Sequence, residues 1–293
     1  MDQKREATTA WLSSAWAQQA SVREVAVEGA VIRYRGWGLD DTAKPGLILV
    51  HGFMAHAHWW DHIAPHLADR YRVVAPDLSG MGDSDRRPQY LRRQFARELL
   101  RVADHAGFGA LTIVAHSFGG LSGLYACRLA PDRITRAIII DAYVFRPERD
   151  VPFESRPERF YPSREAAEAR FRLGPPGMWP DPDVLAYIAH HSVVEKPQGW
   201  TWKFDPLGRK SIDSEKDLRA ELRDLTTPVD FIHGDRSEVV DADALASLVA
   251  NMPSCGTPIA IPLCHHHVMI EQPFALVAVL DALLANPRSG APR

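Results

Sequence analysis

The sequence predicts an α/β fold: a mostly parallel central sheet with helices on both faces and a helical cap inserted between two core strands. Three observations support this prediction. Five apolar runs without alternation occur where strands buried on both faces of a parallel sheet are expected. Helical patterns separate these runs, as in chains that alternate strands with crossover helices. Residues 142–227, rich in proline, arginine and aromatic residues, interrupt the alternation, and we interpret them as the cap.

In chain order, a helical stripe over residues 6–20 includes Trp11 and Leu12. Two strand-like segments follow, VREVAV and AVIRYRG. The buried runs are 46–50, 71–77, 111–117, 134–141 and 228–234, and TPIAIPL is a shorter strand-like segment near the end. Helices are predicted near 59–68, 90–106, 118–130, 240–251 and 273–286. The predicted organisation is an N-terminal helical extension (1–22), a core (23–141 and 228–293) and the cap (142–227).

Composition limits the function classes. A chain of 293 residues with a net charge of −3 and no long run of Lys or Arg lacks the electrostatic pattern of a nucleic-acid-binding protein. Its three cysteines, Cys127, Cys255 and Cys264, are too scattered for a disulfide framework or a zinc site. No apolar run reaches membrane-spanning length, and the N-terminus lacks the apolar core of a signal peptide. We therefore predict a cytoplasmic protein.

The segment Ile113 to Gly120 carries the strongest signal for chemistry. A β-branched run ends at Ser117, and a glycine-rich, helix-like segment follows at once. This is the pattern of a nucleophile elbow, a strained strand–turn–helix in which small residues flank an exposed serine. Gly119 fits that pattern, and Ala115 stands where a first glycine is usual. The structural alternative is that Ser117 only caps the helix.

The loop after the strand at 46–50 reads His51-Gly52-Phe53-Met54. Gly52 allows a tight turn, so that the Phe53 N–H and the Phe118 N–H can form a pair of donors for a developing oxyanion. We interpret His51 as a residue that orients this loop, not as a base.

Three consecutive histidines, His265, His266 and His267, precede the last predicted helix. An imidazole in this loop can reach the serine and exchange its proton near neutral pH. Adjacent loop residues rarely converge on one ion, so we predict no metal here. His58, His62 and His66 share a predicted helix face, which we interpret as solvated.

Taken together, HGF at 51–53, DLSGMGDS at 77–84, AHSFGG at 115–120 and HHVMIEQP at 266–273 resemble the α/β-hydrolase superfamily, in particular its cap-bearing serine esterase-like members. The resemblance covers about residues 24–288 and implies a Ser-His-acid triad without a cofactor. In this family the catalytic histidine stands five positions before the glutamate of the EQP segment, which assigns the role to His266. The residue before it is usually glycine, but here it is His265.

The resemblance leaves the acid open. The family commonly places it three residues after the glycine that ends the strand at 228–234, and that position is Ser237. Some members place it after the strand that follows the nucleophile helix, where this chain has Asp141. We predict Asp141 as the acid, with Glu238 and then Asp235 as alternatives.

The expected substrate is a small apolar carboxylic ester, lactones included. Trp59 and Trp60, after the oxyanion loop, are predicted to line the pocket, with core packing as the alternative. The cap contributes aromatic candidates: Phe153, Tyr161, Phe171, Trp179, Tyr187, Trp200, Trp202 and Phe204. It also contains arginines able to bind a carboxylate: Arg146, Arg149, Arg156, Arg159, Arg170 and Arg172.

Two alternative functions stay open. The family also includes carbon–carbon bond hydrolases of ring-cleavage acids that use the same triad, and a non-catalytic ligand-binding scaffold has the same core. Dehalogenases and epoxide hydrolases of this fold use an aspartate nucleophile, so Ser117 argues against both. The oligomeric state is left open, with a homodimer among the alternatives.

Overall fold

The computed structural model describes residues 2–145, 157–176, 181–206 and 216–286. The described strands are β1 (Ser21–Val27), β2 (Ala30–Trp37), β3 (Gly46–Val50), β4 (Arg72–Pro76), β5 (Leu111–His116), β6 (Ile134–Ile140), β7 (Val193–Lys196), β8 (Gly199–Trp202), β9 (Val229–Gly234) and β10 (Ile259–Ile261). The described α-helices are α1 (Asp2–Ala17), α2 (Ala64–Leu67), α3 (Arg92–His105), α4 (Phe118–Leu129), α5 (Arg164–Glu168), α6 (Pro182–His191), α7 (Lys216–Glu221), α8 (Ala242–Asn251), α9 (Val268–Glu271) and α10 (Pro273–Ala285). Within these residues, no helix could span a lipid bilayer.

Eight strands form one sheet in the order β1-β2-β4-β3-β5-β6-β9-β10. The pairs β1–β2 and β2–β4 are antiparallel, and all remaining pairs are parallel. The prediction of a mostly parallel sheet is confirmed. Because the parallel strands run in one direction, the carboxyl ends of β3, β5, β6 and β9 meet at one edge, where ligands of such sheets bind.

The sheet separates two apolar cores. Along β3, Ile48 and Val50 belong to one core, whereas Leu47 and Leu49 belong to the other. Side chains alternate between the faces of a strand, so a strand that is apolar throughout needs cover on both sides. Helices α3, α4 and α8 cover one face, and α1, α2 and α10 cover the other.

The structure differs from the sequence prediction in the helix expected near residues 59–68. The segment 59–68 does not form a single helix but a 3₁₀ helix (Ala57–Trp60) followed by α2. Pro65 explains the break, because a proline has no backbone N–H and is tolerated only in the first turn of a helix. It lies in the first turn of α2.

The described residues between β6 and β9 contain α5, α6, the antiparallel hairpin β7–β8 and α7. The hairpin is an element that the sequence did not predict. Its strands have only four residues each and are mostly half-buried, so they lack the apolar run that identified the core strands. The domain boundaries remain a prediction. Several cap residues of the sequence prediction lie outside the described residues: Arg146, Arg149, Phe153, Arg156 and Trp179.

Candidate active site

Ser117 occupies a sharp turn between β5 and α4. Its backbone φ of 51° and ψ of −119° is a conformation that residues with a side chain rarely adopt. Such strain is characteristic of functional turns and persists only when the surroundings enforce it. Gly119 shows how tight this turn is, because a Cβ atom there would lie 2.5 Å from the His51 carbonyl oxygen. The Ser117 side chain is therefore held at the carboxyl edge of the sheet, where it is half-buried.

The structure brings Ser117, His266 and Asp141 into one hydrogen-bonded chain. The Ser117 Oγ lies 2.9 Å from His266 Nε2, and His266 Nδ1 lies 2.8 Å from Asp141 Oδ1. His266 is buried, and Asp141 is completely buried. A carboxylate at Nδ1 holds the ring proton on that nitrogen and leaves the Nε2 lone pair facing the serine hydroxyl.

Asp141 is the predicted acid that contacts His266, and three donors surround it. The Ser237 hydroxyl donates to Asp141 Oδ1 at 2.6 Å, and the Gly234 N–H donates to Oδ2 at 2.9 Å. With the imidazole N–H, these donors stabilise the ionised carboxylate in a place where water cannot. The alternatives Glu238 and Asp235 are exposed, and Asp235 accepts a hydrogen bond from the Cys264 N–H instead.

Ser237 is the residue whose contribution the sequence analysis missed. Its hydroxyl donates to the carboxylate of Asp141 and accepts the N–H groups of Val239 and Val240, both at 3.1 Å. A signal was present, because this serine stands three residues after Gly234, at the position where related chains carry their acid.

The three consecutive histidines have different partners. His265 Nδ1 lies 2.9 Å from Glu271 Oε2, and His267 Nε2 lies 3.0 Å from the Pro175 carbonyl oxygen. Burial lowers the pKa of His267 to about 3, so this imidazole is neutral at physiological pH. Only the middle histidine of the three contacts both the serine and the acid.

The part of the chain that the structure describes contains one histidine group able to hold a metal ion. Ring nitrogens of His116, His266 and His267 lie within 4.8 Å of one another. Burial holds the pKa of His116 well below its usual value, and a neutral imidazole is the form that binds metals. In His266, however, one ring nitrogen contacts the serine and the other contacts the carboxylate. This arrangement suits proton transfer between the serine and the imidazole.

The loop after β3 packs against the serine turn. A Cβ atom at Gly52 would lie 3.4 Å from the Ser117 Cβ. Both ring nitrogens of His51 form hydrogen bonds. Nδ1 lies 2.7 Å from the Gly52 carbonyl oxygen, and Nε2 accepts a hydrogen bond from the Leu78 N–H at 3.1 Å. Because a backbone N–H can only donate, the ring proton is on Nδ1, and burial lowers the pKa of His51 to about 4. A neutral histidine with both nitrogens engaged orients the loop and is no base.

Phe53 and Phe118, the two predicted oxyanion donors, lie side by side. Their ring centroids are 5.3 Å apart. Phe118 is the first residue of α4, so its N–H has no acceptor within the helix. This N–H lies at the N-terminal, positive end of the helix dipole. The Phe118 N–H therefore lies next to Ser117 without a helical acceptor, and its pairing with the Phe53 N–H as an oxyanion donor stays a prediction.

A cavity of about 420 Å³ is lined by residues that adjoin this constellation, although Ser117 and His266 are not themselves among its lining residues. Its walls include Phe53 and Met54 from the oxyanion loop and His267, the neighbour of His266. Aromatic side chains form much of the rest: Trp59, Tyr161, Phe171, Trp202 and Phe204. The placement of Trp60 differs from the prediction, because this side chain is fully buried in the core and does not line the cavity. Tyr187 and Trp200 are likewise not among its lining residues.

A second serine–histidine pair, Ser192 and His56, also lines the cavity, with Nε2 and Oγ 2.8 Å apart. The Ser192 hydroxyl donates to the Ile188 carbonyl oxygen at 2.7 Å, so the imidazole must donate to the serine. Burial also keeps the pKa of His56 well below its usual value. This pair therefore lacks the proton arrangement of a nucleophile and its base.

The expectation that His58, His62 and His66 form a solvated face is wrong. His62 is fully buried, and its Nε2 lies 2.7 Å from the Met269 carbonyl oxygen. His58 contacts Asp61 at 2.7 Å, and His66 stacks on Trp11 of α1. The break before α2 and the packing of α1 over it bring these rings into contacts that a solvated helix would not make.

Comparisons with known proteins agree with this fold. A family described as "alpha/beta hydrolase fold" matches residues 45–273. The soluble epoxide hydrolase of Corynebacterium sp. strain C12 is 31% identical over 103 residues, which are 34% of this chain and 36% of that protein. The chain thus matches about a third of this curated relative's length.

Two solved structures are similar in fold. E-2-(acetamidomethylene)succinate hydrolase has a TM-score of 0.76 at 20% identity, over 92% of this chain and 100% of that one. The esterase Rv0045c from Mycobacterium tuberculosis has a TM-score of 0.74 at 22% identity, over 94% and 97%.

Proposed function

The chain belongs to the α/β-hydrolase family, and within it we propose a serine hydrolase that cleaves carboxylic esters, lactones included, through an acyl-enzyme. One observation carries this proposal: the hydrogen-bonded chain from Ser117 through His266 to the buried Asp141 at the strained turn after β5.

In the proposed reaction, the Ser117 Oγ attacks the ester carbonyl carbon while His266 Nε2 takes the hydroxyl proton. The carbonyl oxygen becomes an oxyanion, which the N–H groups of Phe53 and Phe118 stabilise. His266 then gives the proton to the leaving alkoxide, and an acyl-serine ester remains. Water, deprotonated by the same imidazole, hydrolyses that ester and restores the serine. Asp141 keeps the imidazole in the reactive tautomer and stabilises its cationic form.

The nucleophile favours esters over the epoxides named for the Corynebacterium relative. A serine oxygen that opened an epoxide would form an ether, which water does not hydrolyse at neutral pH. A carboxylate nucleophile would form an ester, which a second water can cleave. With a hydroxyl at position 117, turnover requires a substrate whose carbonyl carbon accepts the serine and releases it again.

We propose that residues 142–227 act as the cap of this site, because described residues within the segment, from Arg159 to Phe204, line the cavity together with the core loops. The aromatic walls suit an apolar substrate body. The three cysteines, Cys127, Cys255 and Cys264, form no disulfide, which supports our assignment to a reducing, cytoplasmic compartment.

The nucleophile is tested by labelling the intact protein with a fluorophosphonate, which reacts with activated serine hydroxyls, and locating the adduct by peptide mass spectrometry. We expect one adduct, on Ser117, which Ser117→Ala abolishes and the matched variant Ser192→Ala retains. An unlabelled wild type, or label that persists in Ser117→Ala, would refute the assignment and favour the non-catalytic scaffold.

Substrate class is tested by comparing 4-nitrophenyl butyrate with a vinylogous diketo acid, the substrate type of carbon–carbon bond hydrolases. We expect the ester to be hydrolysed faster. Turnover of the diketo acid alone would replace the ester assignment with carbon–carbon bond hydrolysis.

A further inference from the structure

We propose that the cavity binds a substrate with an acidic group, such as a carboxylate, at the end of the molecule remote from the scissile carbonyl. This inference rests on the proposed ester hydrolysis and adds a binding site for negative charge: the side chains of Arg159, Arg170 and Arg172, which we call the arginine rim. All three line the cavity and are exposed.

The charges around the cavity are unbalanced. Among the residues that the structure describes, its lining contains four permanent cations, the arginine rim and Lys203, and no aspartate or glutamate. Lys203 is neutralised by Asp83, at 2.8 Å. Carboxylates close to the rim in sequence have other partners: Glu158 pairs with Arg86 and Lys196, and Glu168 pairs with His190.

The arginine rim itself has no ion pair with a carboxylate of the described residues. Arg172 donates Nη1 to two backbone carbonyl oxygens, those of Ala169 and Phe171, at 3.0 and 2.6 Å. These bonds orient the guanidinium without neutralising it, because carbonyl oxygens carry no net charge. An anion at the rim would therefore meet positive charge that nothing in the described part of the chain offsets.

The two histidines in the lining do not supply this charge. Burial keeps the pKa of His56 well below its usual value and lowers that of His267 to about 3, so both rings are neutral at physiological pH. Because Asp83 neutralises Lys203, the unpaired positive charge of the described lining is confined to the exposed rim, and aromatic side chains form much of the remaining wall.

This division gives the cavity two ends. Trp59 is only 7% exposed and stands beside His267, near the reacting groups, whereas the arginines are accessible to water. A ligand with an apolar body and an ionised terminus would bury the body between the aromatic rings. Its charge would stay hydrated at the mouth, so that it avoids the desolvation cost of a fully buried ion pair.

The test compares two pairs of esters that differ in charge. Mono(4-nitrophenyl) adipate and 4-nitrophenyl hexanoate differ at the acyl end, and 3-(4-acetoxyphenyl)propanoate and its primary amide differ at the alcohol end. In at least one pair we expect kcat/KM to be about tenfold higher for the acidic member. We also expect this preference to fall when the salt concentration is raised from about 0.02 to 0.5 M, because salt screens exposed charges.

Glutamine variants identify the residues responsible. Each of Arg159→Gln, Arg170→Gln and Arg172→Gln should lower kcat/KM for the preferred acidic ester about threefold, and the triple variant about tenfold or more. The neutral ester reports folding and catalysis, and its kcat/KM should stay within about twofold. The matched control is Arg101→Gln, an exposed arginine of α3 that does not line the cavity.

The inference and the proposed function fail in different ways. If neutral esters are hydrolysed but neither acidic ester is preferred, the arginine rim binds no substrate and the ester hydrolase assignment stands. If no ester is hydrolysed, binding to the Ser117→Ala protein decides the question by calorimetry. If 6-phenylhexanoate binds more tightly than 6-phenylhexanamide, and if this difference disappears in the triple arginine variant, the anion site is supported even though no ester is hydrolysed. Equal binding of both would overturn it.

Discussion

Replacing Asp141 by asparagine provides the sharpest test of the proposed triad. The carboxylate accepts three hydrogen bonds: Oδ1 from His266 Nδ1 and Ser237 Oγ, and Oδ2 from the Gly234 N–H. Asparagine has one acceptor oxygen and one NH₂ donor. If its oxygen faced His266, its NH₂ would oppose the Gly234 N–H, which cannot accept. With the amide turned around, the oxygen accepts from the Gly234 N–H and the NH₂ donates to His266 Nδ1, but the Ser237 hydroxyl, which already accepts the N–H groups of Val239 and Val240, loses its acceptor.

The second orientation avoids two opposed N–H groups and replaces the bonds to Gly234 and His266, leaving only the Ser237 hydroxyl without its acceptor, so we expect the variant to adopt it. An NH₂ that donates to Nδ1 forces the ring proton onto Nε2, and the imidazole can then no longer take the proton of Ser117. Loss of this tautomer costs about 10⁴-fold in kcat in other triads, or about 5.4 kcal/mol of transition-state stabilisation. Because the bonds are replaced, the free energy of unfolding should fall by only about 1–2 kcal/mol.

The assay is kcat for 4-nitrophenyl butyrate in Asp141→Asn and in the matched variant Glu238→Gln, with urea unfolding of both. Glu238 is exposed, so its variant should keep wild-type activity and stability. Two outcomes would show that the acid is assigned incorrectly. One is a kcat of Asp141→Asn within tenfold of the wild-type value, and the other is a loss of kcat in Glu238→Gln as large as the loss we predict for Asp141→Asn.

Three further predictions concern the surroundings of the site. Ser237→Ala removes one donor to the proposed acid and should lower kcat about tenfold with little change in KM, whereas Ser237→Thr, which keeps the hydroxyl, should restore most of it; equal kcat in all three proteins would deny Ser237 this role. Gly119→Ala places a Cβ 2.5 Å from the His51 carbonyl oxygen and should cost about 1–3 kcal/mol in urea unfolding, while Gly109→Ala, which meets nothing within 4 Å, should cost less than about 1 kcal/mol; a similar cost at both sites would contradict the tight contact. Because the pKa of His267 is depressed to about 3 in the fold, the unfolded chain binds its proton first, and the stability from this group is lost as pH falls from about 6.5 toward 3. Between pH 6 and 4, the unfolding free energy of His267→Gln should therefore fall less steeply than that of the wild type, by about 1.4 kcal/mol per pH unit. Parallel curves for the two proteins would disprove the lowered pKa of His267.

The sequence was sufficient for the fold because its signals are local. Runs such as those of β3 and β5 have no polar alternation, and only a sheet covered on both faces buries them completely. The same reasoning predicted Ser117 at a strained turn, because a strand, a serine and glycines stand next to each other in the chain. Signals of this kind failed where they were weak: the short β7–β8 hairpin was missed, and Pro65 divided a helix predicted as continuous.

The sequence alone therefore determined the sheet, the elbow and the loop that carries the histidines. Only the tertiary structure decided which acid contacts His266, and that Ser237 supports it. Asp141 and His266 are 125 positions apart, and Asp141 and Ser237 are 96 apart. Their contacts exist because β6, β9 and β10 are consecutive neighbours in the sheet and end at the same edge. Strand order is set by long-range packing, which no local periodicity or spacing encodes.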